Sequence, residues 1–328
     1  AARGLAFRFP EGGASWMSNP ATDYRPEISR VPKRRFSFLH SKKIAPYVYV
    51  LPFIVSFLVF FAYPIFSTIQ MSFQEVLPGA TRYIGLRNYE RLFNPTFYRA
   101  VSNSLLYTVL TLIVLIPLPM LLAVMLNSLR MPFRHFFRSS LFIPALTSVV
   151  VAGTIFRLIF GELKGSAMNE IIGLFGLEPR RWLFDREFGM FALVLLATWR
   201  WLGVNIVYYL SGLQNIPREL YEAAEIDGAS AWDKLVRITV PLLKPVTIYV
   251  LTISIYGGLA MFTESYMLWG GNNSPNNIGL TMVGYIYQQG IEQFNFGFGS
   301  AIGLTLLAIT MLLNLIQLRF FGLFRRED

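Results

Sequence analysis

Long uncharged stretches alternate with short charged ones along the 328-residue chain. Residues 44–74 and 100–129 carry no charge at all. Four further apolar stretches follow the same plan, and together they predict six spans at about 46–73, 101–126, 138–159, 188–213, 246–268 and 298–320. Each reaches the roughly 20 residues that a helix needs to cross a bilayer. Inside lipid every backbone polar group must be paired within the protein, so long apolar runs of this kind read as helices. The expected class is therefore all-α and integral to a membrane. Pro117 and Pro119 predict a kink in the second span, and Pro144 sits near the start of the third.

One polar segment interrupts this pattern between the fourth and fifth spans. Five of the 19 acidic residues fall between Glu219 and Asp233. Pro217 suits the first turn of a helix, where a missing N–H costs little. Residues 218–226 are good helix formers. Gly228 can take the left-handed conformation that ends a helix. Ser230 followed by Asp233 predicts a capping box for a second short helix, and Pro241 and Pro245 punctuate the approach to the next span. Adjacent Ala223 and Ala224 leave nearly bare backbone on the first helix, with Glu222 beside them to meet a cation. An exposed docking surface and an ordinary solvated loop both fit this composition.

Glu222-Ala223-Ala224, then Asp227-Gly228, Ile238 and Pro241, resembles the EAA loop of ATP-binding cassette importer permeases, in the carbohydrate-uptake, maltose-type branch. Tyr63-Pro64-Ile65, Gly85-Leu86-Arg87-Asn88-Tyr89, Asn103-Ser104-Leu105 and Gly270-Gly271 support the likeness, which covers roughly residues 45–322. Val240 departs from the family, which usually has Leu there. The resemblance implies a type I importer permease fold in which the loop over residues 216–241 supplies cytoplasmic coupling helices. It also implies that this loop docks into a cleft on a separate ATP-hydrolysing subunit. The expected complex holds a second, similar permease, two ATP-binding subunits and a solute-binding protein outside. This chain would then bind no cofactor, with ATP and Mg held by the partner subunits.

Composition and charge placement agree with a membrane location. Apolar residues make up 54% and charged residues 15%, against about 25% charged in soluble domains. No cysteine is present, so disulfides and thiolate metal sites are excluded. The net charge of +10 is explained by topology rather than by nucleic acid. With both termini inside, the segments 1–44, 127–139, 214–244 and 319–328 hold 19 Lys or Arg, while the outer loops hold nine. That bias places both termini, and the 216–241 loop, in the cytoplasm of a bacterial or archaeal cell. His40 and His135 sit among basic residues beside spans and read as membrane-flanking. Residues 1–44 are expected to form a largely disordered basic arm with Lys33-Arg34-Arg35 and Lys42-Lys43 near anionic lipid, and 323–328 a cytoplasmic tail. Either Ala1 or Met17 stands as the start, and no apolar core of a cleavable signal precedes Pro46.

Catalytic signatures are missing. No phosphate-binding glycine loop, zinc-protease helix motif or nucleophile elbow occurs, and Gly161-Glu162-Leu163-Lys164-Gly165-Ser166 has the wrong spacing for the first. The chain is expected to be non-catalytic, with a membrane-embedded enzyme or scaffold as the competing class. The outer loops over 161–187 and 269–297 offer either a docking surface or simple connections, with a short helix over 278–290 expected at the outer surface.

Polar groups within spans mark a candidate pathway. Arg200 is a charge deep in span four; it either binds an anionic or polyhydroxylated solute or pairs with a carboxylate or carbonyls from a neighbouring chain. If it faces a solute, an acidic sugar such as a uronate oligomer, or a sugar or glycerol phosphate, becomes the alternative to a neutral oligosaccharide. Trp201, Asn205 and Tyr208 share one helix face, and Ser254 and Gly258 are similarly spaced on span five. Aromatic rings with an amide suit a sugar; lipid-facing or packing aromatics fit the same spacing. Glu264 is the one acid near a span interior. On continuous helices at about 1.5 Å per residue, Arg200 and Glu264 differ in depth by about 12 Å, so a direct pair is not expected.

Overall fold

The computed structural model describes residues 43–128 and 131–321. The N-terminal arm up to residue 42 and the tail from 322 lie outside the described residues, and with them the expectations placed there. The chain divides into two compact units at Val59. In the first, helix α1 (Ala45–Phe57) begins with a proline in its first turn and carries Pro52 inside, and none of its residues is buried.

The second unit holds the rest. A π-helical turn ends at Ala62 and leads into α2 (Tyr63–Ser72). A two-stranded antiparallel hairpin follows, β1 (Gln74–Leu77) with β2 (Ala80–Tyr83), turning at Gly79 with φ +80°. This hairpin is a small local element in an otherwise helical fold, and alternation over so few residues between charged positions is too short a signal to reveal it. Short α3 (Arg87–Glu90) explains the Gly85–Tyr89 motif. Asn88 Nδ2 donates to the carbonyls of Ser72 and Gln74 at 2.9 Å each, and the Tyr89 hydroxyl donates to Ser72 Oγ.

Helices α4 (Pro95–Leu115) and α5 (Pro117–Asn127) form the second span, broken at Ile116 as the prolines require. The stretch expected as the third span is bent. Helices α6 (Arg134–Leu146) and α7 (Val149–Ile159) meet at 97°, because Thr147 and Ser148 are extended just after Pro144. After α8 (Ala167–Gly173) comes α9 (Arg186–Gln214), which packs against α4, α5, α6, α7, α13 and α14, the last two being Lys244–Leu259 and Thr263–Trp269. Gly203 permits the tightest of these approaches: a Cβ there would lie 2.0 Å from the Leu141 carbonyl oxygen of α6.

Between α9 and α13 run α10 (Arg218–Ile226), α11 (Ala231–Lys234), a π-helical turn over Leu235–Thr239 and α12 (Val240–Leu242). The stretch expected as the fifth span is interrupted near its end. Helix α13 ends at Leu259, and α14 starts at Thr263 after a non-helical break. Helix α15 (Met282–Tyr287) precedes α16 (Phe296–Phe320). The short helix expected at the outer surface exists but is built into the core: Leu280, Met282 and Tyr285 are buried against Phe97, Phe298 and Ile302. Asn103 Nδ2 donates to the carbonyls of Asn277 and Leu280, and Ser104 Oγ accepts from Met282 N, which pins this strap to α4. Among the described residues, four helical stretches are long and apolar enough to cross a membrane, and two bent pairs reach that length when joined.

Candidate functional site

The polar loop folds as its residues dictate. Gly228 has φ +76°. Its N–H donates to Glu225 O at 3.1 Å, and Ala229 N donates to Ala224 O at 2.8 Å. These two bonds close α10 in the Schellman pattern that only a residue tolerant of positive φ allows. Ser230 Oγ accepts from Asp233 N at 3.1 Å while the Asp233 carboxylate accepts from Ser230 N at 3.2 Å, completing the capping box of α11. The Ser230 hydroxyl also donates to the Asp233 carboxylate, and this bond, together with the one from Ser230 N, holds the Asp233 carboxyl below the usual carboxylate range.

No residue of α10 is buried. Glu222, Ala223, Asp227 and Gly228 are exposed, Ala224 and Ile238 half-buried, and Pro241 exposed on α12. Ile226 and Trp232 are also largely exposed, so the tip of the loop is apolar as well as acidic. Two links tie α10 to the run toward α13. The Tyr221 hydroxyl shares a hydrogen bond with buried Thr239 Oγ1 at 2.9 Å, and Lys234 Nζ donates to Glu225 at 2.6 Å.

A cavity of about 380 Å³ lies between α4, α9 and α13, the two helices joined by this loop and the helix they both contact. Trp201, Asn205, Tyr208, Ser254, Gly258 and Glu264 all line it. A single face of α9 thus points at a single space, as the helical spacing requires. The structure adds Tyr107 and Thr111 from α4 and Tyr256 from α13. Tyr107 and Thr111 stand four apart in an uncharged span, a polar stripe that the sequence reading passed over. Gly258 lets α13 close on α4, since a Cβ would meet Thr108 Oγ1 at 2.6 Å. One N–H of the Asn205 amide is engaged by the Leu115 carbonyl at 3.0 Å, which leaves its second N–H and its oxygen for other partners.

Arg200 does not line the cavity. Its Nη1 lies 2.9 Å from Glu264 Oε1, and both side chains are nearly enclosed. This overturns the expectation that the two are too far apart in depth. The depth estimate assumed one unbroken helix from 246 to 268, whereas the break after Leu259 puts Glu264 in the first turn of α14, which returns to pack on α9. The guanidinium also sits 5.3 Å from the Trp201 ring centre. Glu264 is the only charged residue among those lining the cavity. No group of three or more His, Cys, Asp or Glu side chains that would suit a metal ion is present among the described residues.

Comparison with known proteins places this architecture. The chain is 58% identical to the arabinooligosaccharides transport system permease protein AraP of Bacillus subtilis (strain 168), over 88% of this chain and 92% of the relative. It is 50% identical to the AraP protein of Halalkalibacterium halodurans, over 92% and 95%. The fold is shared with a chain of a bacterial alginate ABC transporter, solved in complex with an alginate pentasaccharide-bound periplasmic protein. There the TM-score is 0.77 at 24% identity, over 90% of this chain and 99% of that one. Residues 95–327 match the family described as the binding-protein-dependent transport system inner membrane component. With the EAA loop, the apolar helices and the matching fold in agreement, the chain belongs to that family, the membrane permeases of ATP-binding cassette importers.

Proposed function

We propose that this chain forms one half of the translocation pathway of an ATP-driven importer for neutral oligosaccharides, of which arabinooligosaccharides are the first candidates. The observation that carries the reading is the cavity between α4, α9 and α13, whose two flanking helices are joined by the exposed EAA loop. The names of the most similar relatives supply the substrate class. Four aromatic residues, Tyr107, Trp201, Tyr208 and Tyr256, line the space, and rings of this kind stack on the apolar faces of sugars. The acidic-sugar and phosphate alternatives lose their motivation, because Arg200 is paired with Glu264 and does not reach the cavity.

In this reading both termini and the 216–241 loop are cytoplasmic, in a bacterial cytoplasmic membrane. The chain works without a cofactor of its own and is not itself an enzyme. Two separate subunits bind ATP and Mg, a second permease completes the pathway, and a solute-binding protein delivers sugar from outside. Closure of the ATPase pair moves α10, and the Tyr221–Thr239 and Lys234–Glu225 links carry the motion to α13 and the cavity wall.

The test is uptake and ATPase activity of the reconstituted complex with Glu222→Lys. We expect the charge reversal to abolish sugar-stimulated ATPase and uptake while the permease remains folded. Normal coupling in a stable, fully assembled variant would exclude the docking role.

A further inference from the structure

We propose that Glu264, positioned by Arg200, is the residue that makes the cavity select neutral sugars over anionic ones. The inference rests on the reading of the cavity as the sugar site and adds its charge selectivity. The geometry that supports it is asymmetric. Glu264 faces the cavity and Arg200 stands behind it, joined through Oε1 at 2.9 Å. The second carboxylate oxygen has no hydrogen-bond partner among the described residues. A pair of this kind sums to zero charge, but the face it presents to the cavity is the anion. No other charged side chain lines the space.

A hydroxyl can donate to a carboxylate oxygen, and charge-assisted bonds of this type are the stronger ones. A uronate or phosphate group in the same position has no donor to offer and meets a like charge in an enclosed site. Like charges brought together without compensation are rejected strongly, which is how a site discriminates against the wrong ligand. The aromatic wall would accept either sugar; the carboxylate would not. Arg200 holds Glu264 in place from the far side, as a positioning residue.

The test uses the complete transporter in proteoliposomes, with an arabinooligosaccharide and a galacturonate oligomer of equal length. Wild type is expected to take up the first and not the second. Glu264→Gln keeps the shape and removes the negative charge, leaving the Arg200 cation beside the cavity. The ratio of kcat/KM for neutral over acidic sugar is expected to fall by about 100-fold. The variant Arg200→Gln with Glu264→Gln removes both charges, and its ratio is expected to lie between those of the wild type and the single variant. An unchanged ratio in an assembled Glu264→Gln complex overturns the inference. A cavity-filling variant separates this from the underlying reading. Gly257 lines the cavity, and a Cβ there would meet nothing within 4 Å. Gly257→Phe should therefore fold and block uptake of every sugar. Undiminished uptake by Gly257→Phe would overturn the cavity reading and the Glu264 inference with it. Blocked uptake together with an unchanged Glu264→Gln ratio would overturn the selectivity alone.

Discussion

The side-chain amide of Asn205 on α9 donates to the main-chain carbonyl of Leu115 on α4 at 3.0 Å. Leu115 is four residues before Pro119, which has no N–H to give it. The proline that bends the second span thus leaves a buried acceptor, and a neighbouring helix supplies the donor. In lipid no water is at hand to do so.

Asn205→Leu should therefore lower the stability of the purified permease by about 1–3 kcal/mol, the cost of one buried unpaired acceptor. Adding Pro119→Ala returns an N–H that can bond Leu115 in the ordinary helical way. Thermal melts of the four proteins in one detergent should give a double-mutant cycle with clear coupling. Strictly additive losses would show that the two residues act separately.

Arg200→Ala leaves the Glu264 carboxylate enclosed without its cation. Breaking a buried pair from one side costs about 3–5 kcal/mol, so the melting temperature should fall sharply. Replacing both by Gln should recover much of the loss. A melting temperature for Arg200→Ala equal to that of the wild type would contradict the pairing.

Two adjacent glycines of α13 should respond oppositely. At Gly257 a Cβ meets open space, while at Gly258 it meets Thr108 Oγ1 at 2.6 Å. Gly258→Ala forces α13 away from α4 and is expected to cost about 1–3 kcal/mol, as overpacking does. Gly257→Ala should be neutral or slightly stabilising, because alanine is the better helix former. The two melts, run side by side, check this.

In the loop between α9 and α13, Gly228 holds φ +76°. A β-branched residue there is strained by roughly 1–2 kcal/mol, so Gly228→Val should fray the end of α10. Faster amide exchange at Gly228 and Ala229, with weaker retention of the ATPase subunits during purification, is the expected outcome. The capping box next to it is pH-sensitive in a defined direction. Because Asp233 is held below the ordinary carboxylate range, its contribution is present above the unfolded value of about 3.9. It is lost as pH falls through the lower folded value. Exchange at Asp233 and Lys234 should stay slow at pH 5 and quicken only in stronger acid.

The apolar periodicity and the helix signals were enough to set out the membrane class and the loop. Pro217, Gly228 and the Ser230–Asp233 pair act on their own neighbours in the chain, so their effect is local and the loop forms as they dictate. The face shared by Trp201, Asn205 and Tyr208 was legible for the same reason, since helical geometry alone puts those side chains together. The hairpin over residues 74–83 was not, because four-residue strands leave too short an alternation to stand out.

What only the tertiary structure decided is where the chain stops being helical inside an apolar run, and which groups then meet. Hydropathy is blind to such breaks, since it sums side-chain polarity along the chain and carries no information on backbone direction. The turn at Thr147–Ser148 and the gap at residues 260–262 both fall inside apolar runs. Because Glu264 lies beyond one of those gaps, its pairing with Arg200 across 64 positions is invisible to any rule based on rise per residue. The same holds for the use of Asn205, whose partner is fixed by a proline 86 residues away in the chain, through a contact that exists only once the helices have packed.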